Sequence, residues 1–278
     1  MPKRIILFLI LVILYTPVYS IEQPLVDPFK QAVFLFEGGK PDEAIAGFQE
    51  AIRINPYFSE AYNYLGIIFA SKKDYMQAAM NFEKALQINP DYLEAYYNYG
   101  LTLEEMNKPS QALSVYAKAL KAKPGYAQAL YRKGIVYIGL NKFDAAINEF
   151  NRALKSKPDF AEAYYVRGFA YMKKFIPEKA IEDFTEAVKL NADFAEAYNY
   201  RGLTFASIAN YTQAVSDYSK AIQIDPLFKE AYRNRAEAYY LNKNYAASLS
   251  DVNKAKELGE EFNSAFVNEL LKSPENKA

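Results

Sequence analysis

The feature that most constrains this chain is a period of 34 residues that runs without a slip from Pro56 to Pro226. Asn55-Pro56-Tyr57-Phe58 aligns with Asn89-Pro90-Asp91-Tyr92, and Pro124, Pro158, Ala192 and Pro226 follow at the same interval. Small and aromatic residues recur at fixed offsets: Ala78, Phe82, Ala85; Ala112, Tyr116, Ala119; Ala146, Phe150, Ala153; Ala180, Phe184, Ala187; Ala214, Tyr218, Ala221. Spacings of three and four place these side chains on one face of a helix, so each period holds an amphipathic helix. A fixed period of this kind implies like units that bury their apolar faces against their neighbours. It displaces the ordinary prior of one or two compact domains for 278 residues.

A second set of marks gives each period another helix, ahead of the first. It reads Tyr62-x-x-Leu65-Gly66, Tyr96-x-x-Tyr99-Gly100, Tyr164-x-x-Arg167-Gly168 and Tyr198-x-x-Arg201-Gly202. Glycine inside a helix costs about 1 kcal/mol against alanine, so its recurrence predicts close approach of the partner helix. Pro41, Pro109 and Pro177 fall at the first turn of the later helix in alternate periods, where proline loses no hydrogen bond. Tyr75, Phe143, Tyr211 and Tyr245 take that place in the others.

These residues resemble the tetratricopeptide repeat family, whose pattern has an aromatic residue, Leu, Gly, Tyr, Ala, Phe, Ala and Pro at these offsets. The resemblance implies an all-α, right-handed superhelical solenoid of about seven helix-turn-helix repeats, at 25–58, 59–92, 93–126, 127–160, 161–194, 195–228 and 229–262, within an array spanning 21–262. Departures fall at the ends: Pro28, Gln31 and Ala32 in the first repeat, and Ser248, Val252 and Glu260 in the last. End repeats bury one side only, so drift is expected there, and Asn263–Leu271 reads as a closing helix in a C-terminal segment, 263–278, that ends in a disordered tail from Lys272. Inside the array the family's Leu is replaced by Lys133, Arg167, Arg201 and Arg235.

Met1–Ser20 reads as a signal peptide, with Lys3 and Arg4 ahead of an apolar run from Ile5 to Tyr15 and small residues at Val18 and Ser20. The run is shorter than the roughly 20 residues a spanning helix needs. Cleavage after Ser20 and export to the periplasm or exterior is the expectation; an uncleaved N-terminal anchor is the alternative, and the only route by which membrane contact is expected.

Composition closes off much chemistry. The chain has no Cys, His or Trp, which removes disulfides, thiolate nucleophiles and the commonest metal ligand and general base. Lys plus Arg and Asp plus Glu number 33 each, so no basic nucleic-acid surface is implied. Gly134 and Gly139 have phosphate-loop spacing, but Leu140 and Asn141 stand where Lys and Ser or Thr belong. The plentiful carboxylates recur on exposed faces in every period, which solubility explains without catalysis. No cofactor, no metal and no enzyme activity are expected. Asn210-Tyr211-Thr212 is a glycosylation sequon that bears on a eukaryotic source alone.

The resemblance further implies that the first helices line a concave groove through their second, fifth, sixth and ninth residues. Those positions give Asn63, Tyr64, Tyr97, Asn98, Tyr131, Arg132, Tyr165, Asn199, Tyr200, Arg233 and Asn234 as candidate partner-binding residues, beside Glu60, Glu94, Glu162, Glu196 and Glu230. Tyrosine offers apolar area with one polar atom and asparagine can donate to and accept from a backbone, so the lining suits a protein or peptide segment with basic or aromatic side chains. Some of these tyrosines can equally serve to cover neighbouring repeats, and the glutamates to complement helix dipoles. The Lys, Asn and Arg clamp by which one subfamily holds chaperone C-terminal carboxylates does not fit, because Glu stands where its third-repeat Lys belongs. The expected function is a non-catalytic interaction scaffold outside the cytoplasm, in envelope, pilus or secretion-machine assembly. Glycan binding by the tyrosines and self-assembly into a homo-oligomer are the alternatives.

Overall fold

The computed structural model describes residues 27–272. The expected leader and residues 273–278 of the expected tail lie outside the described residues. Every regular element among those described is a helix. The chain divides into two compact units after Pro56. The first holds one hairpin, α1 (Pro28–Glu37) and α2 (Pro41–Ile54). The second holds six more: α3 (Ser59–Ser71) with α4 (Tyr75–Ile88), α5 (Leu93–Glu105) with α6 (Pro109–Ala122), α7 (Ala127–Gly139) with α8 (Phe143–Ser156), α9 (Ala161–Lys173) with α10 (Pro177–Leu190), α11 (Ala195–Ser207) with α12 (Tyr211–Ile224), and α13 (Lys229–Leu241) with α14 (Tyr245–Glu257). A last helix, α15 (Ser264–Leu271), follows. In the second unit each helix packs on the one before and after it, and the odd-numbered helices touch in turn, which makes it an all-α solenoid.

The recurring glycine does what its cost predicted. A Cβ placed on Gly100 would come within 2.2 Å of the Tyr116 ring, and one on Gly134 within 2.4 Å of Phe150. Phe82 and Tyr218 crowd Gly66 and Gly202 in the same way, while Gly168 is looser, at 3.0 Å from Phe184. The rings of Phe82, Tyr116, Phe150, Phe184 and Tyr218 are fully or almost fully buried, so each hairpin seats one large ring on a bare stretch of backbone. The end repeats keep that volume balance with other residues. In α1 the position carries Ala32, and α2 compensates with Gly47, where an added Cβ would meet the Ala32 methyl at 2.8 Å. In α13 it carries Ala236, and the facing aromatic shrinks to Val252. Leu270 of α15 packs on both and is itself fully buried, closing the end of the array.

Helix ends are equally regular. Pro41, Pro109 and Pro177 are the first residues of α2, α6 and α10, and none of these helices has a side-chain cap. Where proline is absent, Asp74, Asn210 and Asn244 accept hydrogen bonds from Gln77, Gln213 and Ala247, while α8, after Lys142, has neither device. The first helix of every hairpin closes with paired bonds such as Lys73 N to Ala70 O and Asp74 N to Phe69 O, both 2.9 Å. That closure requires one left-handed residue. It is glycine only at Gly39; elsewhere Lys73, Asn107, Asn141, Phe175, Ala209 and Lys243 hold φ between 54° and 61°. Such a conformation costs an L-residue about 1–2 kcal/mol.

Candidate functional site

The face built by α3, α5, α7, α9, α11 and α13 carries all eleven candidate residues, and the structure divides them by role. The asparagines are engaged between neighbouring repeats. Asn63 is buried, donates to the Tyr92 hydroxyl at 3.2 Å, and accepts from Asn98 at 3.4 Å. Asn199 and Asn234 are buried as well, joined by a 2.9 Å bond from the Asn234 amide. Both pairs are 35 residues apart, one period plus one, so they tie successive first helices together.

The arginines are partnered too. Arg132 makes two bonds to Glu104, at 3.2 and 2.6 Å, and the same carboxylate accepts from the Tyr116 hydroxyl at 2.5 Å. Arg233 reaches Glu260 of the α14–α15 connection at 2.6 Å. Glu260, a departure from the repeat pattern, thereby acquires a structural reason.

Tyr131, Tyr165 and Tyr200 pack against other aromatic rings. Tyr131 lies 4.8 Å from Phe160 and 6.1 Å from Phe150 between ring centroids. Tyr165 repeats that arrangement with Phe194 and Phe184, and Tyr200 meets it edge-on at 5.7 Å while also contacting Phe169. Tyr64 and Tyr97 are half-buried. Burial pushes the Tyr165 hydroxyl well above the usual tyrosine range, helped by Tyr200 and Glu196, so that this hydroxyl stays neutral at physiological pH. Glu94, Glu162 and Glu196 stand in the first turns of α5, α9 and α11. Beside the half-buried tyrosines, these carboxylates are open to solvent.

A further set of residues escaped the sequence reading. Lys133, Arg167, Arg201 and Arg235, noted only as departures, each pair with an acid 16 residues later on the second helix of their own hairpin: Glu149, Asp183, Asp217 and Asp251. The three arginines bind bidentately, with Arg201 Nε and Nη2 at 2.8 and 2.7 Å from the Asp217 oxygens. Their third nitrogen reaches back 16 residues to Asn151, Thr185 or Ser219 on the preceding hairpin. The acids are only 5–7% exposed. Hydrogen bonds to Asp217 hold Arg201 above its ordinary pKa, yet burial raises the Asp183 carboxyl in spite of Arg167, a sign of what desolvation costs such a pair. The signal was present in the sequence as a basic residue and an acid spaced by 16 in four successive periods.

Among the described residues no cluster of Asp and Glu could hold a metal ion, and no helix is long and apolar enough to cross a membrane. Tetratricopeptide repeat patterns match residues 29–56, 57–124, 103–168, 161–194 and 207–261. The chain belongs to the tetratricopeptide repeat family. Among solved structures it is similar to YrrB, described as a repeat protein with an unusual peptide-binding site, at 28% identity and TM-score 0.57 over 65% of this chain and 93% of that one. It is also similar to MamA from Desulfovibrio magneticus, at 26% identity and TM-score 0.55 over 60% and 94% of the two chains. PilW, a type IV pilus biogenesis factor, shares the fold at 23% identity and TM-score 0.63 over 73% and 94%. Comparison with curated proteins gives no match. The family and these neighbours make the chain a protein-interaction scaffold.

Proposed function

We propose that the scaffold captures an extended segment of a partner protein along the tyrosine row of its first helices, and that basic side chains of that segment face Glu94, Glu162 and Glu196. The observation that carries this reading is the division within the candidate set. Asn63, Asn199, Asn234 and the two arginines are bonded to other residues of the array, while each first helix from α3 to α11 presents a half-buried tyrosine on this face and α5, α9 and α11 an exposed carboxylate beside it. Rigid aromatic area with a polar edge is the usual anchor chemistry of protein interfaces, and border carboxylates select a cationic partner. The peptide-binding site of YrrB supports the choice of a peptide ligand. The leader-like residues 1–20 support a setting outside the cytoplasm, and we place the scaffold in envelope assembly with no catalytic role.

The tyrosines are poor first targets because they also hold the repeats to one another. The test therefore uses the chain from residue 21 and its Glu94→Lys/Glu162→Lys/Glu196→Lys variant, each used to capture proteins from an envelope extract. A basic or aromatic segment retained by the parent and lost by the variant, with unchanged melting temperature, is the expected result. An identical catch from both removes the acidic border from the binding site.

A further inference from the structure

The second unit has two unlike edges. Along one run the turns inside the hairpins, residues 72–75, 106–109, 140–143, 174–177, 208–211 and 242–245. These carry Lys72, Lys73, Lys108, Lys142, Lys174 and Lys243 against one acid, Asp74. Along the other run the connections between hairpins, from 57–58 to 225–228, which carry Asp91, Asp159, Asp193 and Asp225 against Lys123 and Lys157; the first two residues of the helices that follow add Glu60, Glu94, Glu162, Glu196 and Glu230 against Lys229, where the helices that follow the turns add only Asp144 and Glu178. The chain has no net charge, so this separation reflects placement and not composition.

Apolar side chains stand among the lysines. Phe175 is 92% exposed, held at the tip of its turn by a left-handed backbone, φ 57°, in the place glycine occupies as Gly39 in the first hairpin. Leu140, Ile208 and Leu241 are exposed on the same edge. Between successive turns lie shallow hollows of about 270, 290, 330 and 350 Å³, the one of about 330 Å³ lined by Met172, Phe175, Pro177, Thr204, Ser207 and Ile208. Lys174 extends across to Asp144 of the preceding hairpin and so helps fix the spacing of the tips.

We propose that this edge rests on the surface of a membrane containing anionic lipid, with the lysines against the headgroups and Phe175 and Ile208 entering the interface. Lysines interleaved with exposed aromatic and aliphatic tips are the chemistry of peripheral membrane binding. A bilayer also suits a row of separate tips, since it needs no matching surface. The acidic edge then faces away from the membrane, and the tyrosine row stays open to its partner. This contact is independent of whether residues 1–20 are removed, and so extends membrane association beyond an uncleaved anchor.

The test takes the chain from residue 21, which includes every described helix, with vesicles of phosphatidylcholine alone or mixed with phosphatidylglycerol, read by co-sedimentation. The parent binds the mixed vesicles at low ionic strength and is released as salt rises. Each lysine near such a surface is worth about fivefold in partitioning, so Lys73→Glu/Lys108→Glu/Lys142→Glu lowers binding about a hundredfold or more. Phe175→Gly lowers binding while raising the melting temperature, because glycine suits the left-handed turn, and this separates lost contact from lost fold. Equal binding to neutral and mixed vesicles, or no change in these variants, overturns the proposal. So does concentration-dependent self-association that the lysine variant abolishes while the parent ignores vesicles, which would assign the edge to the acidic edge of a second copy.

Discussion

At the position before the recurring glycine, α3 and α5 carry Leu65 and Tyr99, while α7, α9, α11 and α13 carry Lys133, Arg167, Arg201 and Arg235. Sixteen residues later the first two hairpins have Asn81 and Val115, and the other four have Glu149, Asp183, Asp217 and Asp251. Leu65 is buried, and Tyr99 turns back to donate its hydroxyl to Glu83 of the preceding hairpin. Hairpins α3–α6 thus hold this site with apolar packing and phenol-to-carboxylate bonds, and hairpins α7–α14 with ion pairs. The same fold accepts both. The lesson concerns specificity: a bidentate pair that also touches the preceding hairpin can be satisfied in one register only, whereas Leu65 can slide against several neighbours.

The comparison is broken most severely by removing one partner of a pair. Asp217→Ala leaves the Arg201 guanidinium buried without its counter-charge, and a loss of about 3–5 kcal/mol is expected. Chemical denaturation of the single variant measures it. Replacing both partners, as Arg201→Leu/Asp217→Ala, should recover most of that loss, because no charge is left stranded and α3 already shows that leucine fits the position. A double variant as unstable as Asp217→Ala would mean that the pair itself, and not the stranded charge, sustains the C-terminal hairpins.

The second prediction tests the feature that both halves share. Gly100→Ala forces a methyl to within 2.2 Å of the buried Tyr116 ring, whereas at Gly168 the nearest ring atom is 3.0 Å away and the neighbour has only to yield slightly. Gly100→Ala should cost about 1–3 kcal/mol as overpacking, and Gly168→Ala clearly less. Equal melting temperatures for the two variants would show that the glycines are not set by ring contact.

How much of this was legible beforehand follows from the period. Residues of the ring-on-glycine contact recur at fixed offsets within 34 residues, so the hairpins, the proline-started helices and the close approach at Gly66, Gly100 and Gly134 could all be read from spacing. The ion pairs were obscured because their basic members look like errors against a leucine pattern, and their partners lie on another helix, outside any periodicity of three or four. The left-handed turns were invisible for a related reason. Among the turns inside the hairpins Gly39 alone advertises one; Phe175 and Ala209 are tolerated because the bonds closing each helix fix the backbone whatever side chain sits there. In the candidate site the offsets gathered the candidates on one set of helices but did not show the division of labour among them. Asn63 and Asn98 look like ligand groups until their 35-residue separation is seen to place them against each other.

The smallest effect at neutral pH, and the sharpest in alkali, concerns the hydroxyl bonds of hairpins α3–α6. Burial, with Glu94 and Glu60 nearby, pushes Tyr92 up to about 12, and Tyr99 and Tyr116 are raised further by burial and by donating to Glu83 and Glu104. A raised pKa in the folded state means that the neutral form is the one stabilised. That stability is complete below the ordinary tyrosine value of about 10 and is lost as pH rises through about 12. Guanidinium groups do not titrate in this range, so the pairs of α9–α14 persist while the phenol bonds of α3–α6 fail. The chain has no Trp, so phenolate absorbance can be followed cleanly beside helix content. A late-titrating class of tyrosines should appear, joined from the other hairpins by Tyr165 and Tyr218, ionising together with a partial loss of helix, and Tyr99→Phe/Tyr116→Phe should shrink that class without abolishing it. Titration of every tyrosine in one step near 10, before any helix is lost, would show that these hydroxyls are solvated and that the two halves differ only in packing.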